Sequence, residues 1–226
     1  MTPELERVVV LVPVLNRPQN VDPLLRSFRA SGTPGRLLFL VQEDDEHELQ
    51  ALLLADAEML VVEAACTTWP QKINRGYRST SEPWMLLGAD DVAFHPGWWH
   101  ATETLRETFG VIGTNDLGNP RVLAGEHTTH PLVARWYADK RGTLDDDHQV
   151  VHDGYRHWFV DDELVLTAKA RRQWAFCREA VVEHLHPYWK KAAWDSTYAL
   201  GETHQQEDQD LFRLRIGLLR GHMATA

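Results

Sequence analysis

Val8-Val9-Val10-Leu11-Val12 is an unbroken apolar run, mostly β-branched, with no polar residue at alternate positions. A strand with one wet face alternates, so a strand without alternation is covered on both faces, as in a parallel sheet flanked by helices. The run ends at Pro13, and Asn16-Arg17-Pro18 turns into Val21, Leu24, Leu25 and Phe28 at helical spacing, stopped by Ser31-Gly32 and Pro34-Gly35. The pattern then repeats. Residues 37–41 read as a second strand, 49–54 as a helix, 59–62 as a third strand and 72–78 as a helix. A fourth strand, 84–87, runs straight into Gly88-Ala89-Asp90-Asp91. Strands and helices alternating through short loops build right-handed βαβ units. The expected fold is therefore α/β, with a mostly parallel central sheet flanked by helices. Ligands of such sheets bind beyond the carboxyl ends of the strands, which singles out residues 13–17, 43–45 and 88–91.

After about residue 115 the pattern loosens. Gly118-Asn119-Pro120 is a turn, and 143–152 reads as a polar loop. Phe159-Val160 leads into Asp161-Asp162-Glu163 on a segment read as extended, and a short run over 181–186 ends at Pro187. Residues 205–220 read as an amphipathic helix with Leu211, Leu214 and Leu218 inward. A chain of 226 residues suits one domain better than two. Its formal net charge of −10 is the wrong sign for a free-standing nucleic-acid binder. The acids gather at 43–48, 145–147 and 202–210, runs that are solvated surface except where a few carboxylates hold a cation. Cys66 and Cys177 have no CxxC spacing, which offers no thiolate cage and suits a reducing compartment. The apolar run 8–15 is too short to span a membrane and lacks the layout of a signal peptide. The expectation is a soluble cytoplasmic protein without a membrane partner.

Adjacent aspartates at the end of a buried strand repel one another unless a cation or hydrogen-bond donors compensate them. A divalent ion shared with waters and a diphosphate suits such a pair. The segment 84–91, with Pro96-Gly97-Trp98 shortly after, resembles the metal-binding region of family 2-type glycosyltransferases of the GT-A fold. That family often shows Asp-x-Asp-Asp, and here Gly88 stands at the first acid position, leaving a truncated DXD-like motif. The resemblance implies that Asp91 ligates Mn2+ or Mg2+ and that Asp90 contacts the ribose or the metal's waters. Three further segments follow the family's order over residues 8–99. Val12-Pro13-Val14-Leu15-Asn16-Arg17 resembles the first strand-to-helix turn, putting Pro13, Asn16 and Arg17 beside the nucleotide. Val41-Gln42-Glu43-Asp44-Asp45 resembles the second strand end, with Asp44 or Asp45 on the base. Lys72-Ile73-Asn74-Arg75-Gly76 resembles the helical segment from which Lys72 and Asn74 face the nucleotide.

Trp158-Phe159-Val160-Asp161-Asp162-Glu163-Leu164 resembles the acidic motif that carries the family's catalytic base, the carboxylate that takes the acceptor hydroxyl's proton. On an extended segment Asp161 and Asp162 point to opposite sides, so one of the two is the base, with Asp162 favoured. Val182-Glu183-His184-Leu185-His186-Pro187 alternates and puts His184 and His186 on one face. Either resembles the late histidine that completes the metal shell of several GT-A enzymes. His127-x-x-His130 lacks the helix signal of a zinc site and a Glu base following its first His. Trp98, Trp99, Trp158 and Trp189 are candidate platforms for a sugar ring.

Taken whole, the resemblance implies metal-dependent, inverting transfer from a nucleotide-diphosphate sugar, a UDP-sugar favoured, to a hydroxyl acceptor. Residues 1–115 would form the donor half and 116–226 the acceptor half with a C-terminal helix. Small chains of this kind resemble glycosyltransferases of bacteria and their phages, the latter working in the host cytoplasm, with saccharide, protein or hydroxymethylated DNA acceptors. The net charge disfavours tightly held DNA, while local basic clusters such as Lys169, Arg171 and Arg172 keep it open. A sugar-nucleotide nucleotidyltransferase would carry a glycine-rich loop after the first strand, and 12–17 has no glycine. A non-catalytic nucleotide-sugar-binding module would not depend on Asp161 or Asp162.

Overall fold

The computed structural model describes residues 7–146 and 148–224, so Asp147 of the second acidic run lies outside the described residues. Strand β1 (Val8–Pro13) lies inside an eight-stranded sheet, parallel to β2 (Gly35–Gln42) on one side and to β4 (Trp84–Leu87) on the other. Val8 through Val12 are all fully buried, the two-sided cover that the missing alternation required. Strand β3 (Met59–Val62) extends the parallel set beyond β2. Helices α1 (Val21–Ser31), α2 (Glu46–Leu54) and α3 (Trp69–Ser79) make the crossovers. α1 buries Val21, Leu24, Leu25 and Phe28 and ends where Gly32 takes a left-handed φ of 67°. α3 opens on a Thr68–Gln71 capping box with Pro70 in the first turn, all readable as a helix start.

The second half is built from shorter pieces. These are β5 (Val92–Phe94), α4 (Trp98–Ala101), α5 (Glu103–Arg106), β6 (Val111–Asn115), α6 (Pro120–Leu123), β7 (Leu132–Ala134) and α7 (Arg135–Arg141). Then come α8 (Val160–Ala170), β8 (Trp174–His184), α9 (Ser196–Thr203) and α10 (Gln205–Ala224). The strand order is β3-β2-β1-β4-β7-β6-β8-β5. β7 runs antiparallel to both β4 and β6, β8 parallel to β6, and β5 antiparallel to β8. The sheet is thus all-parallel through β3-β2-β1-β4 and mixed beyond. β5 and β7 are three residues each, too short to leave a periodic signal in the sequence.

Three expectations are corrected. Residues 160–170 form a helix rather than an extended segment. Asp161, Asp162 and Glu163 fill its first turn, where unpaired backbone N–H groups favour negative charge. Leu214 and Leu218 of α10 are 66% and 47% exposed, because polar anchors choose the inward face instead. Fully buried Asp208 accepts the backbone N–H groups of Arg156, His157 and Trp158, and Arg215 pairs with Glu163 and Asp145, with Leu219 buried between turns. Trp98 and Trp99 belong to the core, Trp98 packing on Phe94 and donating its indole N–H to Thr33, so neither is a platform. Among the described residues no helix is long and apolar enough to cross a membrane.

Arg215 donates to both oxygens of Glu163, at 2.6 and 2.8 Å, with both side chains about 95% buried. Arg215→Met leaves that carboxylate buried without its counter-charge, and the expected loss is about 3–5 kcal/mol. Arg213→Met, on the exposed face, is expected to stay within about 0.5 kcal/mol; urea unfolding compares the two. The same guanidinium holds Asp145 down at about 2 from 3.8 through its hydrogen bond. The Asp145 contribution is therefore complete above 3.8 and lost as pH falls through about 2.

Candidate functional site

Beyond the carboxyl ends of β1 and β4 lies a cavity of about 680 Å³. Its floor is the Asp90-Asp91 pair, both more than 90% buried. Gly88 precedes them, and a Cβ there would meet Val10 Cγ1 at 3.0 Å and the Leu11 carbonyl at 3.1 Å. The acid missing from the first motif position therefore has a steric reason in how closely β4's end packs on β1.

Two carboxylates in this position need compensation, and the chain supplies it from distant segments. Arg17, on the loop after β1, donates to Asp90 Oδ1 at 3.2 Å and stands 3.6 Å from Asp91 Oδ2. Its other face clasps Asp195, at 2.9 and 3.0 Å, and its guanidinium lies 3.6 Å from the centre of the Tyr198 ring. Tyr198, on α9, donates its hydroxyl to Asp91 Oδ2 at 2.7 Å. His184 arrives through strand pairing: β5 and β8 run antiparallel with Val92 opposite His184, and Leu185 N–H donates to the Asp91 carbonyl. His184 Nε2 ends 3.4 Å from Asp91 Oδ2.

These contacts split the pair. Burial, together with the neighbouring Asp91 charge, pushes Asp90 up to about 8 against the pull of Arg17. Burial opposes ionisation of Asp91 too, but the His184 charge and the bonds from His184 and Tyr198 outweigh it and hold Asp91 well below the carboxylate range. His184 is raised in return, its burial overcome by Asp91. His130 and His186 are both pushed down to about 4, by burial and by His184, and so are neutral.

A divalent cation fits this floor. Asp91 Oδ1 and both ring nitrogens of His130 are buried without a hydrogen-bond partner, and the His130 ring lies 4.8 Å from that of His184. Carboxylate oxygen with neutral imidazole nitrogen is a donor set that Mn2+ accepts and Mg2+ tolerates. His186, 4.9 Å from the His184 ring, accepts Tyr188 N–H on Nδ1 and caps the short turn Pro187–Trp189. Among the described residues, the one set of three whose ligand atoms all lie within 4.8 Å of one another is His127, Asp161 and Asp162. There Arg121 already sits on Asp162 Oδ1 at 2.5 Å, so a guanidinium fills the cationic role.

Of the residues expected at the donor, Pro13, Arg17, Lys72, Asp90 and Asp91 line the cavity, as do His184 and His186. Lys72 is buried, lowered by that burial, and donates to the Val14 carbonyl at 2.7 Å. Asn16, Asp44, Asp45 and Asn74 do not line it. Asp45 caps α2 and accepts the Asn16 N–H, Asp44 is exposed, and Asn74 is spent tying Val150 and Val151 to α3.

Asp161 and Asp162 line the same cavity from the first turn of α8. Phe159, just before them, takes a left-handed φ of 63° and stacks on Phe212. That conformation costs a non-glycine residue about 1 kcal/mol or more and fixes how the turn enters. Asp161 Oδ2 lies 3.1 Å from His127 Nε2, and its Oδ1 accepts the Asp162 N–H. Trp158, Tyr188 and Trp189 wall the outer end. Arg121, His127, His130, Asp195 and Tyr198 are the residues that sequence reasoning missed. Only the His127-x-x-His130 spacing gave any signal.

Solved structures that share this architecture include glycosyltransferases. A mannosyltransferase from Pyrobaculum calidifontis, in complex with GDP-Man and Mn2+, matches with a TM-score of 0.59 and 14% identity over 79% of this chain and 56% of that one. TarS 1–349 of S. aureus in complex with UDP matches at 0.60 and 12%, over 78% and 59%. Glucosyl-3-phosphoglycerate synthase from Mycobacterium tuberculosis, with Mn2+, UDP-Glc and phosphoglyceric acid, matches at 0.62 and 12%, over 94% and 80%. The fold is GT-A. At such identities the likeness speaks for the fold, and the chain spans just over half the length of the first two. No protein-family model and no curated protein sequence matches the chain.

The GT-A floor makes a prediction in the absence of metal. Asp90 is raised from 3.8 to about 8, so the folded state holds a proton that the unfolded state has released, and stability falls as pH rises across that interval. Asp90→Asn, neutral throughout, is expected to flatten that fall and to be more stable than wild type at pH 8. Melting temperatures from pH 5 to 8 in EDTA provide the check.

Proposed function

We propose that the chain is a Mn2+- or Mg2+-dependent glycosyltransferase that moves a sugar from a nucleotide-diphosphate sugar, UDP-sugar favoured, to a hydroxyl acceptor. One observation carries the reading: a single cavity has buried Asp91 and partly buried His184 on its floor and a carboxylate pair in its wall. The fold neighbours support it, since those proteins are described with Mn2+ and with UDP, UDP-Glc or GDP-Man. Asp91 and His184 would hold the ion, His184 releasing its proton as the ion binds, ahead of His186, whose Nδ1 is occupied as a cap. Once bound, the ion supplies positive charge for the departing diphosphate. Pro13, Arg17, Lys72 and Asp90 line the donor end and keep their assignment there.

Asp162 is the base in this reading. Both oxygens of Asp161 are engaged, whereas among the described residues only Oδ1 of Asp162 accepts a bond. Burial and the Asp161 charge also raise Asp162, which suits proton uptake, while the His127 charge helps hold Asp161 low against its burial. Attack by the acceptor oxygen on the face opposite the diphosphate inverts the anomeric carbon. The acceptor would lie against Trp158 and Trp189. Glu202, which accepts the hydroxyl of Tyr188 in that wall, adds negative charge that favours a saccharide or protein over DNA.

With Mn2+ and a panel of UDP- and GDP-sugars, release of the nucleoside diphosphate is expected and is abolished by EDTA. Asp91→Asn should lose metal-dependent donor binding by calorimetry. Asp162→Asn should keep that binding and lose transfer by about 10²–10⁴-fold. A wild-type protein that turns over no donor, or a fully active Asp162→Asn, contradicts the reading.

A further inference from the structure

The acid pair on α8 has a third partner that the reaction above leaves without a task. His127, on the loop between α6 and β7, is 2% exposed. That loop is tied by the Thr129 hydroxyl to Asp116, which also accepts the Gly118 and Asn119 N–H groups of the turn before α6. His127 Nε2 lies 3.1 Å from Asp161 Oδ2, and its Nδ1 lies 3.9 Å from Asp162 Oδ1. Nδ1 is buried and has no hydrogen-bond partner. An ionised carboxylate only accepts, so the neutral ring carries its proton on Nε2, toward Asp161. The Nδ1 lone pair is then left beside Asp162 with nothing to bind until Asp162 itself carries a proton. A buried acceptor left idle whenever the ring is neutral costs free energy, and such groups ask for a reason.

We propose that His127 is the proton relay of the transfer, receiving through Nδ1 the proton that Asp162 removes from the acceptor hydroxyl, while Asp161 orients the ring and stabilises the imidazolium. The inference rests on the reading of Asp162 as base. The acceptor O–H bond breaks as its oxygen bonds the anomeric carbon, and the bond from that carbon to the diphosphate breaks with its electron pair leaving on the diphosphate. The proton passes to Asp162, then to His127, and reaches solvent once products leave. Closing 3.9 Å to hydrogen-bond reach of about 3 Å takes a small side-chain rotation of Asp162. Burial and the Asp161 charge let Asp162 take the proton, and Arg121 on its Oδ1 works against their hold on it. The charged groups facing His127 are Asp161 and Asp162 from α8 and Arg121 from α6. Against burial and Arg121, the two carboxylates raise His127 above an ordinary imidazole, as a terminal acceptor requires. Carboxylate, imidazole and proton source in line repeat the logic by which an aspartate supports a histidine base.

Two measurements test it. In imidazole ¹⁵N spectra, with the His127 signals identified by their loss in His127→Gln, the neutral ring should be protonated on Nε2 and bare on Nδ1. Its titration should fall by about one unit or more in Asp161→Asn. A proton on Nδ1, or a titration indifferent to Asp161, overturns the relay. In kinetics, His127→Gln keeps an amide N–H for Asp161 but cannot take a second proton. With the donor that turns over, kcat should drop about 10–100-fold at unchanged donor KM, and the acid limb of kcat should shift down to the carboxylate range. A His127→Gln enzyme with the wild-type kcat and limb overturns the relay alone, while a wild type that transfers nothing overturns the transfer reading beneath it.

Discussion

Two adjacent carboxylates at the end of a buried parallel strand cannot stand uncompensated, and much of this molecule is arranged around that fact. The compensation comes from Arg17 after β1, held in place by Asp195 at the start of α9, from His184 at the end of β8, and from Tyr198 on α9. Segments more than a hundred residues apart in sequence are thereby brought onto Asp91. Without metal, a guanidinium and a phenol hydroxyl occupy edges of the aspartates that a cation and its waters would otherwise take. Removing one member of such a buried set costs far more than the set contributes by comparison with apolar packing. The cluster is therefore better understood as a site kept in register than as a source of stability.

The second carboxylate pair obeys a different logic. Asp161 and Asp162 sit at a helix start, where backbone N–H groups favour negative charge, and Arg121 on α6 and His127 on the loop after it complete the balance. The strained Phe159 sets the turn that aims them into the cavity. In the proposed reading, one cavity wall handles the proton and the floor holds the cation. Two sites of like sign coexist because each has its own local counter-charges.

The parallel half of the fold was legible because β1 through β4 are continuous buried runs punctuated by glycine and proline, and Asp90-Asp91 was found from the strand that delivers it. His184 was found from alternation over 182–186, although the pairing that brings it to Asp91, β5 against β8, left no trace in three-residue β5. Asp161-Asp162 was expected on an extended segment and lies in the first turn of a helix that lines the cavity, since three consecutive acids mark a helix start as well as a polar strand edge. Asp45 and Asn74 fit the residue pattern of a nucleotide site, yet their side chains cap α2 and tie down a loop, tasks that local spacing does not distinguish from ligand binding. Leu214 and Leu218 misled for the reverse reason: buried Asp208 and Arg215, not apolar periodicity, orient α10.

The central claim is that the cation belongs to the floor, between Asp91 and His184, and not to the wall at His127, Asp161 and Asp162. Anomalous scattering at the manganese edge, from crystals grown with Mn2+ and UDP, tests it most directly. The account predicts one strong peak within bonding distance of Asp91 and His184, with the Tyr198 hydroxyl withdrawn from Asp91. A peak on His127 and the α8 carboxylates, or none on the floor, would contradict it.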